Sequence, residues 1–279
     1  MNGKPIHITT QDYLVTKEIF ELEIDKNLDM LITAPRPQKL TKYYESEAYV
    51  SHHDDSKNII DKIYQLVKSY TLNTKMKLIS KYSNHEKTLL DVGAGTGKFL
   101  LKAKHQKWST LGIEPNEIAR GKASDKGLII YKELKELDLS EKFEVITLWH
   151  VLEHLPNLQE DIKKIEQLLS PNGTLIIAVP NYKAYDANYY GAHWSAYDTP
   201  RHLWHFSKKS ISKLFNVHGL KVERILPMYF DAYYVSLLSE KYKTGKSNYF
   251  KAFYIGFLSN WKARRTNEYS SLIYVLKRE

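Results

Sequence analysis

Cysteine is absent from the 279-residue chain. Its absence excludes disulfide bridges, thiolate zinc sites and any enzyme that attacks its substrate with a cysteine thiolate. Long hydrophobic runs are missing too, since no apolar stretch approaches the ~18 residues that a membrane-spanning helix needs. The opening residues, MNGKPIHITTQDYL, contain no apolar segment of the kind found in secretory signals. We therefore expect a cytoplasmic protein without a membrane span.

Positive charge and tyrosine are both in excess. The formal net charge of +9 suits a nucleic-acid partner or an anionic substrate. The lysines are scattered, however, which is typical of a solvated surface, so a nucleic-acid partner is not favoured. Many of the 21 tyrosines cluster at 43–49, 182–197 and 229–254. Such clusters either line an aromatic substrate cleft or pack helices together.

Strand-like and helix-like segments alternate from Thr88 onwards. The apolar runs TLLDVG, STLGIE, LIIY, FEVITLW and GTLIIAVP are separated by helical patterns such as GKFLLKAKHQ and LQEDIKKIEQLL. Continuous apolar strands separated by helices indicate a parallel sheet that is covered on both faces. The pattern therefore predicts an α/β fold with a doubly wound, Rossmann-like, mostly parallel sheet.

The chain divides into two predicted segments. Residues 1–70 hold short β-like pieces, a proline-rich loop and a helical pattern, which we interpret as a small N-terminal β/helical lid section. Residues 71–279 form the alternating domain, with an aromatic loop at 181–206 and a helical insertion at about 231–263. A loop of that length is unusual in a compact domain unless it is functional.

The stretch LLDVGAGTGKFLLKA joins the first of these strands to a helix and is typical of a nucleotide-binding turn. A phosphate-binding P-loop needs a glycine at position 92 and a hydroxyl residue at position 99, where the chain has Val92 and Phe99. A dinucleotide fingerprint needs its third glycine where Lys98 stands. The P-loop is therefore excluded, and an NAD(P) site is disfavoured but stays open.

S-adenosylmethionine suits the turn better, because it has no phosphates. Small residues such as Gly93 and Gly95 let the backbone approach its methionine part. Asp91, at the strand end, offers a carboxylate to the cationic end, and Glu114, ending the next strand, can accept both ribose hydroxyls. Sheets of this kind bind ligands outside the carboxyl ends of their strands. The glycines alone also fit a tight strand–helix turn that binds no ligand.

Five stretches then occur in a recognisable order, and they are LLDVGAGTGKFL, LGIEPNEIA, FEVITLWHVLEHLPN, LSPNGTLIIAVPN and DTPRHLWHFSKKSISKLFNVHGLKV. Together, over about residues 88–222, they resemble the class I S-adenosylmethionine-dependent methyltransferases near the quinone-biosynthesis-like branch, with methyltransferase domains of types 23, 11 and 12. The resemblance implies a seven-stranded sheet whose last strand is antiparallel. It also implies S-adenosyl-L-methionine as cofactor and methyl transfer to an O- or N-atom of a small molecule.

The resemblance also implies where the cofactor lies. The methionine end is expected at the glycine turn and after the fourth strand, the ribose at the end of the second strand, and the adenine after the third. The implied cofactor-binding residues are Asp91, Gly93, Ala94, Gly95, Glu114, Pro115, Asn116, Glu133, Leu134, Leu148, Trp149, His150 and Tyr44.

Tyr44 belongs to YYESEAYVSHHD, which looks like a lid over the cofactor; Tyr43, Tyr49 and His52 are further lid candidates. The stretch TAPRP resembles the one that follows a small zinc ribbon in relatives. Because Asp25 and Leu28 occupy the cysteine positions, we expect a ribbon-like hairpin there and no metal.

Histidines supply the candidate general bases, since imidazole titrates near neutral pH. The catalytic candidates are His202, His150 and His205. His150 also lies one helical turn before His154, with Glu153 between them. This trio is compatible with acid–base chemistry, with metal binding or with a structural role in the loop.

Arg201 and Asp198 lie beside His202 in the same histidine-rich stretch. Arg201 is compatible with clamping an anionic acceptor. It is equally compatible with a network that joins Asp198 to His202 and holds the loop.

The acceptor class follows partly from what is missing. No Asn/Asp-Pro-Pro-aromatic motif follows the fourth strand, and no cysteine is present for methylation of pyrimidine carbons. A small molecule is therefore the favoured methyl acceptor. We expect the protein to be a monomer or a homodimer. The alternatives are an RNA or protein methyltransferase, a non-catalytic cofactor-binding module and an NAD(P)-dependent oxidoreductase.

Overall fold

The computed structural model of the chain describes residues 4–43, 59–83, 86–246 and 248–279. The strands are β1 (Ile6–Gln11), β2 (Ile19–Asp25), β3 (Met30–Ala34), β4 (Thr88–Val92), β5 (Ser109–Ile113), β6 (Ile129–Tyr131), β7 (Phe143–Trp149), β8 (Leu169–Pro180), β9 (Trp204–His205), β10 (Leu220–Pro227) and β11 (Ser271–Arg278). The α-helices are α1 (Ile59–Tyr82), α2 (Lys98–His105), α3 (Glu117–Ser124), α4 (Leu158–Leu168), α5 (Tyr185–Tyr190), α6 (Lys208–Asn216), α7 (Asp231–Thr244) and α8 (Tyr249–Thr266).

The main sheet has seven strands in the order β10-β11-β8-β7-β4-β5-β6. Neighbouring pairs from β8 to β6 are parallel, whereas β11 is antiparallel to both β8 and β10. This confirms the predicted Rossmann-like fold, including the antiparallel last strand. The carboxyl ends of β4, β5 and β7 consequently meet at one edge of the sheet.

Helices cover both faces of this sheet, which explains why most residues of its central strands are apolar. Leu89 packs with Met76 and Ile79 of α1 on one face, and the next residue, Leu90, packs with Ile162 of α4 on the other. Successive side chains of a strand point to opposite faces, so both sets of side chains are buried when helices cover both faces, and most of them are apolar.

A second sheet has the order β1-β2-β3-β9 and is antiparallel throughout. Its β2–β3 hairpin lies where the sequence predicts the ribbon-like hairpin, and its fourth strand comes from the aromatic loop at 181–206. That loop is ordered, since it contains α5, short 3-10 turns and β9. The predicted boundary at residue 70 lies inside α1, and the division into two segments stays a prediction.

Tyrosines of the aromatic loop serve packing. Tyr182, Tyr190 and Tyr197 are buried in a core that the loop shares with the second sheet and with α7 and α8. Among the residues that the structure describes, no helix is both long enough and apolar enough to cross a membrane.

Arg201 ties this loop to the N-terminal segment. Its guanidinium is 1% exposed. It donates to Asp12 Oδ1 at 2.9 Å, to Asp198 Oδ1 at 2.7 Å and to the Tyr43 carbonyl at 2.9 Å. Its donors are turned to the protein interior, which favours the loop-holding network over an anion clamp.

We expect Arg201→Leu to lower the free energy of unfolding by about 3–5 kcal/mol, because the buried carboxylate of Asp12 loses its cationic partner. Urea denaturation measures the change. Arg265→Leu, at an exposed position of α8, is the matched control and should cost less than about 0.5 kcal/mol. Equal losses in the two variants would contradict the role given to Arg201.

Candidate active site

Three glycines shape the turn after β4. Gly93, Gly95 and Gly97 have φ angles of +76°, +54° and +73°, a region that side chains of L-residues rarely adopt. A Cβ on Gly97 would lie 2.4 Å from Leu128 Cδ1, and one on Gly93 would lie 2.3 Å from Val151 Cγ2. A Cβ on Gly95 would meet no atom within 4 Å. The outer two glycines therefore serve packing, and the middle one faces open space that a ligand can approach.

Glu114 borders that space. Its Oε2 accepts the Gly95 N–H at 2.7 Å, and its Oε1 accepts the Asn116 N–H at 2.8 Å. The carboxylate therefore holds the glycine turn against the end of β5. A carboxylate oxygen can accept a second hydrogen bond, so each oxygen of Glu114 retains the capacity to accept a ribose hydroxyl.

Asp91 lies in the neighbouring strand end and is 3% exposed. Its Oδ1 accepts a hydrogen bond from Thr147 Oγ1 at 2.6 Å. Burial raises the pKa of Asp91 to about 7, although Thr147 and the nearby Lys75 oppose that shift. A desolvated carboxyl group of this kind binds a cation more favourably than one in water does.

Lys75 is a site residue that sequence analysis missed. It reaches from α1 toward the strand ends, where its Nζ lies 4.3 Å from the centroid of the Trp149 ring. Burial lowers the pKa of Lys75, and the charges of Asp91 and Asp231 act in the opposite direction. No signal in the sequence separates this lysine from the other lysines of α1.

His150 follows β7 and lies between two carboxylates. Its Nδ1 is 3.4 Å from Glu153 Oε1 and its Nε2 is 3.2 Å from Asp231 Oδ2. Burial acts to lower its pKa, but hydrogen bonds to Asp231 and Glu153 raise the pKa to about 10. His150 is therefore an imidazolium at neutral pH, without a lone pair to accept a proton. Asp231, from the start of the helical insertion, was also missed by sequence analysis.

His202 has a different environment. Its Nδ1–H donates to the Ala196 carbonyl at 2.9 Å, and its Nε2 lies 3.9 Å from Asp198 Oδ2. Because Nδ1 carries the proton, the Nε2 lone pair of His202 is the one that can accept a proton from a substrate.

A polar cluster surrounds His202. Glu153 is 1% exposed, and its Oε1 faces the imidazolium of His150 at 3.4 Å. His154 donates from Nδ1 to the Arg201 carbonyl at 3.0 Å, and burial lowers its pKa to about 4. Donor atoms of Glu153, His154 and His202 lie within 4.8 Å of one another, so these three residues could hold a metal ion. The expectation of no metal stays untested.

His205 contributes to packing. It is 4% exposed, and its Nε2 lies 3.0 Å from Thr33 Oγ1, whose hydroxyl donates to the His202 carbonyl. Burial holds the pKa of His205 well below its usual value. The geometry therefore favours His202 over His205 as a base.

The remaining predicted residues follow or end the strands of the main sheet at its carboxyl edge. Leu148 is buried, Trp149 is half-buried, Ala94 donates its N–H to the Ile113 carbonyl, and Asn116 caps α3 beside the exposed Pro115. Glu133 pairs with Lys135 at 2.5 Å, next to the buried Leu134.

Of the lid candidates, Tyr43 is buried and donates to Glu18. Tyr44, Tyr49 and His52 lie outside the described residues. The cofactor contacts given for all of these residues remain predictions.

Comparisons with known proteins identify the family of the chain. A family model described as a methyltransferase domain matches residues 64–225. The ubiquinone biosynthesis O-methyltransferase of Histophilus somni (strain 2336) is 34% identical over 138 residues, which are 43% of this chain and 58% of that protein. Its counterpart from Rickettsia canadensis (strain McKiel) is 25% identical over 169 residues, 56% of this chain and 72% of that protein. The chain thus spans about three fifths of the length of the first of these relatives.

Solved structures show the same fold. Magnesium protoporphyrin IX methyltransferase from Synechocystis PCC 6803, with bound SAH, has a TM-score of 0.56 at 14% identity, covering 85% of this chain and 97% of that one. A possible histamine N-methyltransferase from Thermotoga maritima has a TM-score of 0.53 at 15% identity, covering 78% and 94%.

We expect Glu114→Ala to weaken binding of S-adenosylhomocysteine at least about tenfold, because hydrogen bonds to a charged acceptor are lost. Isothermal titration calorimetry measures the affinity. Glu117→Ala, which removes an exposed acid nearby in α3, is the matched control and should bind as the parent does. Unchanged affinity in Glu114→Ala would contradict the ribose role.

The raised pKa of His150 predicts a pH-dependent stability. An imidazole whose pKa rises from 6.5 in the unfolded chain to about 10 in the folded one contributes stability that is complete below pH 6.5 and is lost as the pH rises toward 10. The free energy of unfolding should therefore fall more steeply over this window in the parent than in His150→Gln. His105→Gln, at an exposed position, should retain the parent profile. Parallel profiles for the parent and His150→Gln would refute the imidazolium.

Proposed function

This chain belongs to the methyltransferase domain family, and we propose that it is an S-adenosylmethionine-dependent methyltransferase acting on a hydroxyl oxygen of a small molecule. One observation carries the proposal. The open space at Gly95 lies beside the carboxylate of Glu114, at the ends of adjacent parallel strands. The names of the O-methyltransferase relatives support oxygen rather than nitrogen as the acceptor atom.

The residues present fit the cofactor. Gly95 leaves room for it, and Glu114 would accept its ribose hydroxyls. Asp91 would face its cationic end, where a positive charge offsets the burial that raises the pKa of that carboxyl group. When bound, the cofactor supplies an activated methyl group on a sulfonium.

The acceptor side supplies proton transfer and orientation. His202 is the proposed general base, since its Nε2 lone pair is available and Asp198 lies 3.9 Å away to stabilise the charged ring. His150, whose two ring nitrogens already face Glu153 and Asp231, would hold these carboxylates in place rather than accept a proton. We propose that the chain is a monomer or a homodimer. A nucleic-acid acceptor is the alternative, and the scattered distribution of the basic residues does not favour it.

We expect the purified chain to transfer label from S-adenosylmethionine to a hydroxylated small molecule, and His202→Ala to reduce turnover by about 10²–10⁴-fold while cofactor affinity stays within about twofold. Assays across a panel of hydroxylated acceptors and calorimetry measure the two quantities. His218→Ala changes a histidine that contacts Gln159 of α4 and has no proposed role in the site, so this variant should keep full turnover.

Two outcomes would contradict the proposal. Stabilisation by NAD(H) but not by S-adenosylhomocysteine would assign an oxidoreductase. Cofactor binding without turnover on any acceptor would assign a non-catalytic binding module. Parent-like activity in His202→Ala would remove only that residue as the base.

A further inference from the structure

Helix α8 carries its large apolar side chains on its exposed face. Its buried positions are mostly small residues, and they are Ala252, Ile255, Gly256, Ser259 and Ala263. Its exposed aromatic residues are Tyr249, Phe250, Phe253, Tyr254, Phe257 and Trp261, which are 49–92% exposed. Surface helices ordinarily bury their apolar stripe, so this pattern is reversed.

The face of α8 that carries the small residues packs closely against α7 and forms a buried hydrogen bond. A Cβ on Gly256 would lie 2.9 Å from the backbone of Tyr233 in α7. Ser259 Oγ donates to the buried carboxylate of Asp186 at 2.6 Å. Because the helix is held closely in this orientation, its outward aromatic face is a property of the folded chain.

The aromatic surface extends beyond α8. Phe230 lies before α7, and its ring contacts the exposed Tyr70 of α1 with centroids 5.6 Å apart. Asn260 of α8 donates to the Tyr229 carbonyl at 2.8 Å, which joins this pair to the helix. Neighbouring exposed apolar side chains on a soluble protein commonly mark an interaction site.

The charge around the surface is positive. Helix α8 contains Lys251, Lys262, Arg264 and Arg265 and no acidic residue. Of the two acids of α7, Glu240 is buried and paired with Lys251 at 3.3 Å, and Asp231 contacts His150. Aromatic side chains flanked by lysine and arginine are the composition of helices that lie in the interface of a bilayer with anionic lipids.

We propose that the outer face of α8, together with Tyr229, Phe230 and Tyr70, docks the protein on the surface of an anionic lipid bilayer. The aromatic rings would enter the headgroup region while Arg264 and Arg265 contact lipid phosphates. Phe230 directly precedes Asp231, whose carboxylate contacts His150. Docking on this face therefore places the bilayer beside the candidate active site.

Sedimentation with vesicles tests the proposal. We expect the chain to bind vesicles of phosphatidylcholine and phosphatidylglycerol, more weakly at high salt, and to bind pure phosphatidylcholine less. The double variant Phe250→Gln, Phe257→Gln should lose about tenfold in vesicle affinity. The double variant Ile118→Gln, Val217→Gln, at residues 64% and 75% exposed elsewhere, is the matched control and should bind as the parent does.

Two further readouts sharpen the test. Trp261 fluorescence should shift to shorter wavelength on vesicle binding, and Trp261→Phe should remove the shift. Arg264→Gln, Arg265→Gln should reduce the preference for anionic vesicles. Vesicle binding needs neither cofactor nor acceptor, so its outcome is separate from that of the methyl-transfer assay.

Three results would overturn the proposal. They are no vesicle binding by the parent at low salt, equal losses in the aromatic and control double variants, and self-association without vesicle binding that the Phe250→Gln, Phe257→Gln variant abolishes. The last result would assign the surface to a second copy of the chain.

Discussion

The buried guanidinium of Arg201 is the constraint on which the acceptor side of the site depends. A charge removed from water must be paired, and Arg201 pairs with Asp12 from the N-terminal segment and with Asp198 from the aromatic loop. The backbone around Arg201 also holds the histidine cluster. The carbonyl of Arg201 accepts a hydrogen bond from His154, and the N–H of Leu203 donates to the Glu153 carbonyl. The two segments therefore cannot be placed independently of the histidine cluster.

The cofactor side and the acceptor side of the site are formed by different kinds of groups. The cofactor side uses strand ends and backbone groups, so Glu114 is positioned by the N–H groups that it accepts. The acceptor side uses side chains brought together from distant elements, with His150 between Glu153 and Asp231. Burial strengthens these charge interactions by excluding water. Consequently the cofactor side has a local sequence signature, whereas the acceptor side is defined by tertiary structure.

That difference explains which parts were predictable. The alternation of continuous apolar runs with helical patterns predicted the main sheet, and the strand ends that it defines place Asp91 and Glu114 at one edge. The inward turn of Lys75 could not be predicted, because helical periodicity does not distinguish among the lysines of α1. The contact of Asp231 with His150 could not be predicted either, because it depends on how the insertion packs. The second sheet was missed in part because β9 is two residues long, too short for a periodic signal.

The helical insertion links the site to the outer surface. It lies between β10 and β11, whose antiparallel pairing returns the chain to the main sheet. The first residue of α7, Asp231, is held by His150, and the small face of α8 is held by Asp186 and α7. Both ends of the hairpin are thus anchored, so its aromatic rings keep a defined orientation toward solvent. The carboxylate that contacts His150 and the exposed rings therefore belong to one packed element, which fixes the position of the aromatic face relative to the candidate active site.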